Sequence, residues 1–180
     1  SEDPETPAAV PAPPQLSYLT DALGAAGGIN LSASHNPPDD NGVKTYDGFG
    51  SQPVAPEDQQ LIDVMAKATD VKRIPFQQAL AQGLVRAVEP ARQQAYVDLY
   101  VKLYDEIFTP RADLPITYTP LCGCGLDTAG RVLETLGFPI VVPPDQYPDG
   151  SFASIPFRAP NPGVPQATAP ACAFADANGS

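Results

Sequence analysis

A serine, a histidine, an asparagine and a lysine lie close together in the chain, in types and spacing that suit group transfer. Ser34, His35 and Asn36 are consecutive, and Lys44 follows a Pro-Pro-Asp-Asp-Asn-Gly-Val segment. A serine hydroxyl held in a tight turn at the end of a strand is both exposed and positioned, as such chemistry requires. His35 and Lys44 are the nearby side chains that could balance negative charge. The segment is therefore compatible with a group-transfer site centred on Ser34.

Each of these residues also has an ordinary structural interpretation. A serine beside Asn-Pro commonly bonds to its own backbone in a turn. His35 could stabilise the loop locally, and a strand lysine such as Lys44 is usually solvated. The residue types alone leave both interpretations open.

The segments on either side of Ser34 predict an irregular hairpin. Residues 29–32 and 43–46 alternate apolar and polar side chains, and the stretch between them contains an Asn-Gly turn signal. Leucines at helical spacing predict a helix over 15–23, ended by Gly24. A further helix is predicted over 56–68, which would close a first structural unit.

A second unit is predicted to begin after residues 70–90, which lack a sustained period and are interpreted as a connector. An apolar stripe predicts a helix over 91–108. Strands over 115–119 and 140–142 would flank a helix over 127–136. The fold class expected is α/β, with mixed α/β domains and a parallel strand pair.

Composition narrows the function classes. The 180 residues carry a formal net charge of −11, which argues against binding nucleic acid or an anionic membrane through a broad basic patch. No apolar run approaches the ~18 residues that span a bilayer, and we expect a cytoplasmic protein. The three cysteines, an odd count, fit a reducing compartment. Prolines concentrate at 4–14 and 139–170, which are interpreted as extended connections.

Residues 27–44 resemble the phosphoserine loop of the α-D-phosphohexomutases, in which a strand leads into Thr-Ala-Ser-His-Asn-Pro and then Asn-Gly and Lys. Residues 118–125 resemble the family's Tyr-Thr-Pro-Leu-His-Gly-Val-Gly segment. Residues 148–152 and 160–162 resemble the Pro-Asp-Gly-x-Phe and Pro-Asn-Pro of the phosphoglucomutase and phosphopentomutase branch. The order and spacing of the segments agree with that family.

The resemblance implies a sugar-phosphate mutase. Ser34 would carry a phosphoryl group, pass it to a sugar phosphate, and take the other phosphate back after a hexose bisphosphate intermediate reorients. His35 and Lys44 are the other catalytic candidates, with Lys44 as acid or base, and His35, Asn36 and Lys44 would contact substrate or phosphate. The implied cofactor is Mg²⁺, held by the phosphate on Ser34 and by aspartates of an Asp-x-Asp-x-Asp loop that does not occur in these 180 residues.

Two cysteines depart from the family pattern. Cys122 stands where the family has His, and Cys124 where it has Val. Two thiols without further Cys or His nearby cannot complete a tetrahedral metal site. We therefore expect small buried residues at both positions, and the family histidine's role is not carried over.

The resemblance implies an incomplete mutase. Residues 1–75 would be the C-terminal part of the first mutase domain, and residues 76–180 the second domain, ending before the metal loop. The remaining mutase domains would be missing, so the isolated chain is expected to be inactive. The alternative is a naturally short, non-catalytic relative that acts as a binding module. The sequence does not identify the sugar.

Overall fold

The computed structural model describes residues 11–107, Thr109 and residues 113–180. The helices and strands of these residues follow one another in the order α1 Pro13–Ala22, β1 Gly28–Leu31, β2 Val43–Tyr46, α2 Glu57–Ala66, α3 Phe76–Ala81, α4 Pro90–Asp105, β3 Ile116–Thr117, a π-helical turn Leu126–Gly130, α5 Arg131–Thr135, β4 Ile140–Val141, a 3-10 turn Pro156–Arg158 and α6 Pro165–Asn178. The expected α/β fold class is confirmed.

The predicted hairpin is present. β1 and β2 pair antiparallel, and Asn30 lies opposite Lys44. Helix α1 begins with Pro13 in its first turn, where the missing N–H costs no hydrogen bond. The Ser17 hydroxyl of α1 donates to the carbonyl of Gly50 at 2.6 Å, which joins the segment after β2 to this helix.

The expected connector over 70–90 is wrong in one part, because it contains the six-residue helix α3. Ala79 is its buried residue, and six residues are too few to show a sustained helical period in the sequence. Helix α2 lies where it was predicted, but Ile62 and Met65 on it are exposed.

The second unit has the predicted strand–helix–strand order. β3 and β4 pair in parallel, with Ile116 opposite Ile140. The two strands are two residues long and therefore shorter than predicted. Helix α4 packs on α5 through a buried cluster formed by Val97, Val132 and Leu136.

Tyrosine side chains connect the two units. Tyr18 of α1 lies 5.4 Å from Tyr96 of α4, measured between ring centroids. Tyr96 in turn lies 5.0 Å from Tyr100. Burial is the main cause that raises the pKa of Tyr96 above its usual value, because the charged phenolate is poorly solvated there. The tyrosines therefore serve packing between α1 and α4.

The proline-rich stretch 139–170 is not extended throughout, because α6 begins at Pro165. Pro165 occupies the first turn, where proline is preorganised for a helix, although Pro170 lies inside α6. Ala167 and Ala171 are buried, and Gly179 ends the helix with a φ of +69°. The structure thus corrects the expectation of an extended connection. In the described part of the chain, no helix combines the length and apolar character needed to cross a membrane.

Candidate active site

A cleft of about 800 Å³ brings together segments that are far apart in the sequence. One wall contains Ser32, Ser34, His35 and Lys44. The other walls come from residues 120–125, 127, 148–150, 152, 160 and 162. The hairpin loop therefore faces the segments that carry the other recognised motifs.

Ser34 has a left-handed backbone conformation with a φ of +59°. Its N–H donates to the Ser32 hydroxyl at 3.0 Å, and the Asn36 N–H donates to the Ala33 carbonyl at 3.2 Å. The Ser34 Oγ is exposed and lies 3.3 Å from His35 Nδ1. This conformation costs roughly 1–2 kcal/mol in an L-residue, and such strain is found more often at functional sites. The local turn thus presents the Ser34 hydroxyl to the cleft.

Close contact between the two arms of the hairpin holds the Ser34 loop. The Ser32 N–H donates to the Gly42 carbonyl at 2.9 Å. A Cβ at Gly42 would lie 3.1 Å from the Ser32 carbonyl oxygen, so glycine permits this approach. Lys44 follows on β2 and is partly buried where it lines the cleft.

The structure brings three of the four predicted site residues to the cleft. Ser34, His35 and Lys44 line it, whereas Asn36 is exposed in the turn and is not among the lining residues. The catalytic and binding roles of these side chains are predictions.

The opposite wall also has unusual backbone conformations. Leu121, Cys122 and Phe152 line the cleft with φ values of +47°, +60° and +51°. These are not glycines, and left-handed conformations are unfavourable for such side chains. Sequence reasoning did not select Leu121 or Phe152, since the motif match was their only signal.

The two cysteines of this wall differ in exposure. Cys122 is buried, as expected, and its Sγ lies 3.4 Å from the Ser154 hydroxyl. Cys124 is only partly buried and lines the cleft. The expectation of two buried thiols therefore holds for Cys122 alone.

Asp149 places a carboxylate at the cleft that sequence reasoning did not select. Its Oδ1 accepts from the Ser151 N–H at 2.9 Å, and its Oδ2 accepts from the Ser151 hydroxyl at 2.7 Å. These hydrogen bonds lower the pKa of Asp149 below its usual value of 3.8, because they favour the charged form. Asp149 is therefore ionised at neutral pH.

The described side chains do not form a metal site. Across residues 11–107, 109 and 113–180, no three His, Cys, Asp or Glu side chains are grouped so as to hold an ion. Mg²⁺ prefers an octahedral set of oxygen ligands. The Asp149 oxygens already accept the Ser151 hydrogen bonds. We therefore derive no chemical step through a metal ion here.

Comparison with known proteins agrees with the motifs. The family model "Phosphoglucomutase/phosphomannomutase, alpha/beta/alpha domain I" matches residues 8–72. A Haemophilus influenzae protein assigned as a phosphomannomutase is 31% identical over 83% of this chain and 30% of its own length. A Staphylococcus haemolyticus phosphoglucomutase is 32% identical over 69% of this chain and 23% of its own.

The fold agrees with a solved structure as well. A Thermus thermophilus protein assigned as a phosphomannomutase matches with a TM-score of 0.59 and 25% identity, over 90% of this chain and 34% of that one. The chain thus spans about a third or less of the length of these relatives. From the matched sequence, the fold and the shared motifs, we conclude that the chain belongs to the phosphoglucomutase and phosphomannomutase family, the α-D-phosphohexomutases.

Proposed function

We propose that this chain supplies the phosphoserine side of a sugar-phosphate mutase site, for the interconversion of hexose 1-phosphate and hexose 6-phosphate in the cytoplasm. The observation that carries the proposal is the shared cleft. Ser34, His35 and Lys44 line it together with residues 120–125 and 148–150, which belong to the other matched motifs. The names of the relatives, phosphomannomutase and phosphoglucomutase, support a sugar phosphate as the substrate class.

In the proposed step, a phosphoryl group moves from Ser34 to a hydroxyl of the bound sugar phosphate. The Oγ–P bond of phosphorylated Ser34 breaks as the sugar oxygen forms its own bond to phosphorus. Lys44, as the neutral amine, accepts the proton of the sugar hydroxyl, and the protonated Lys44 then returns that proton to Ser34 Oγ as the serine leaves. The product is a hexose bisphosphate, which reorients and returns its other phosphate to Ser34 by the reverse step.

The geometry supports these roles by positioning the groups that would surround the transferred phosphoryl group. Phosphoryl transfer is catalysed mostly by alignment and by stabilising the charge on the transferred group. The turn holds the Ser34 hydroxyl exposed, with His35 Nδ1 3.3 Å from it. His35 and Asn36 are proposed to contact substrate or phosphate. Lys44 lies on the neighbouring strand and supplies positive charge once it is protonated.

Magnesium remains a proposal for the complete mutase. When bound, a divalent cation would neutralise phosphate charge during the transfer. Within this chain, the only contribution we propose is an oxygen of the phosphate on Ser34. The described residues offer no grouped set of three carboxylate, imidazole or thiol ligands.

We also propose that residues 1–75 and 76–180 are parts of the first and second mutase domains. Because the chain spans 30% of the Haemophilus relative, we expect it not to turn over sugar phosphates alone. A short, non-catalytic relative that binds a partner is the alternative.

The test is the phosphorylation state of Ser34 in the protein isolated from its native source. Peptide mass spectrometry should find phosphate on the Ser34 peptide after incubation with a hexose bisphosphate. Ser34→Ala should remove that phosphate and lower any mutase turnover by at least about a thousandfold, since Ser34 is the proposed phosphoryl carrier. The matched control is Ser51→Ala, an exposed serine outside the cleft.

Two results would overturn the proposal. One is unphosphorylated Ser34 after incubation with the bisphosphate, which would favour the non-catalytic alternative. The other is measurable mutase turnover in the protein from its native source that Ser34→Ala leaves unchanged.

A further inference from the structure

A buried glutamine lies behind the cleft wall that faces Ser34. Gln146 has 0% of its surface exposed, although it does not itself line the cleft. We infer that Gln146 is a positioning residue, which holds the 119–122 turn, residues Thr119 to Cys122, in the shape that forms this wall. Its importance for catalysis rests on the proposed function, whereas its hold on the turn does not.

Two hydrogen bonds connect Gln146 to this turn, and a third lies within the turn. The Thr119 hydroxyl donates to Gln146 Oε1. The same Thr119 oxygen accepts from the Leu121 N–H at 3.1 Å, and the Cys122 N–H donates to the Gln146 carbonyl at 3.2 Å. The backbone carbonyl of Gln146 thus holds Cys122 directly. Its side chain acts on Leu121 through the Thr119 hydroxyl.

The turn needs such support because its conformation is unfavourable. Leu121 and Cys122 both have positive φ values, +47° and +60°. Residues in this region persist only when surrounding contacts hold them there. The hydrogen bonds from Gln146 and Thr119 act at these two residues. They are therefore contacts that can hold the strained wall.

A second observation separates positioning from simple packing. Gln146 Nε2 is buried and has no hydrogen-bond partner among the described residues. An unpaired buried donor is unfavourable, and an apolar side chain of similar size would avoid that cost. A buried glutamine that forms a hydrogen bond through Oε1 but not through Nε2 is poorly suited to filling space. Its Oε1 is, however, placed to accept from Thr119.

The test uses two of the cysteines, Cys122 and Cys172, as reporters. Cys122 in the turn is buried, whereas Cys172 on α6 is exposed. A pyridyl disulfide reagent, followed by peptide mass spectrometry, gives the labelling rate of each thiol in the 180-residue chain. The ratio of the Cys122 rate to the Cys172 rate reports opening of the turn and cancels changes in reagent or pH.

Gln146→Met keeps the volume of the side chain and removes the acceptor. We expect it to raise the Cys122 to Cys172 ratio about tenfold, the factor that corresponds to about 1.4 kcal/mol. The matched control, Gln166→Met at an exposed position of α6, should leave the ratio unchanged. An unchanged ratio in Gln146→Met would show that the residue only fills space, and would overturn the inference.

Conservative rescue and a second variant complete the test. Gln146→Glu should restore protection of Cys122 at about pH 5, where a buried carboxyl is neutral and still accepts from Thr119. The protection should be lost at about pH 8, because the carboxyl is then ionised and burial of its charge is unfavourable. Thr119→Val should expose Cys122 by itself and add little in the double variant with Gln146→Met. Fully additive effects would contradict a shared role. If Gln146→Met fails to fold, Thr119→Val decides.

These results are independent of Ser34 phosphorylation. A protected Cys122 that becomes reactive in Gln146→Met, in a protein whose Ser34 is never phosphorylated, would refute the proposed function and leave the positioning role intact. Phosphorylated Ser34 with no change in Cys122 labelling would do the opposite.

Discussion

Replacement of Gly50 by alanine should destabilise the attachment of the hairpin to α1. Gly50 is buried and has a φ of +78°. A Cβ at this position would lie 2.9 Å from the carbonyl carbon of Ser17 and still closer to its oxygen. Since both obstacles belong to the backbone of α1, the helix and the Gly50 turn must move apart to accept the methyl group.

The expected magnitude has two parts. The left-handed conformation costs an L-residue roughly 1–2 kcal/mol. Overpacking of a close contact costs about 1–3 kcal/mol. Gly50→Ala should therefore lower the free energy of unfolding by about 2–5 kcal/mol.

Gly24 offers a matched control. It also has a positive φ, +58°, but nothing lies within 4 Å of the position that its Cβ would take. Gly24→Ala should therefore show only the conformational cost of roughly 1–2 kcal/mol. The difference between the two variants isolates the contact with Ser17.

Urea unfolding followed by far-UV circular dichroism measures both variants in the 180-residue chain. Gly50→Ala should have the lower midpoint at an unchanged slope. Equal losses in the two variants would refute the reasoning, because the backbone contact would then have no cost. A neutral Gly50→Ala would also refute it.

Two further predictions concern the second unit and the cleft. Val97→Ala should lower the free energy of unfolding by about 2 kcal/mol, because Val97 is 1% exposed in the cluster between α4 and α5. Val64→Ala, at a position 66% exposed on α2, should have little effect; equal losses in urea unfolding would contradict this. Asp149→Asn should be less stable than the parent at neutral pH, and the difference should shrink as the pH falls below 3.8, because the lowered pKa of Asp149 stabilises the fold only while it is ionised. A stability difference independent of pH in thermal unfolding would exclude that cause.

Local patterns explain which elements could be predicted. The alternation of residues 29–32 and 43–46 and the helical spacing of apolar residues in α1 and α4 are short-range signals. Helix α3 escaped prediction because it is six residues long with one buried side chain, Ala79. Helix α6 was partly missed since prolines were interpreted as extended chain, although Pro165 is compatible with a first turn.

The candidate site, too, was predictable from the sequence only in part. The motif around Ser34 identified the loop, and the hairpin placed His35 and Lys44 beside it in the cleft. Motif matches also pointed to residues 118–125 and 148–152, but no local signal indicated the left-handed conformations of Leu121 and Phe152. Neither leucine nor phenylalanine favours that region, so the cause lies outside the segments themselves.

The sequence by itself thus determined the family, the order of the main elements and the Ser34 turn, because all of these depend on residues near one another in the chain. Tertiary structure alone decided that the Ser34 loop faces Leu121, Cys122 and Asp149 across one cleft. It also decided that Gln146 is buried against Thr119. The physical reason is that these arrangements arise from hydrogen bonds and packing between distant segments, which can hold a backbone in a conformation that its own residues disfavour.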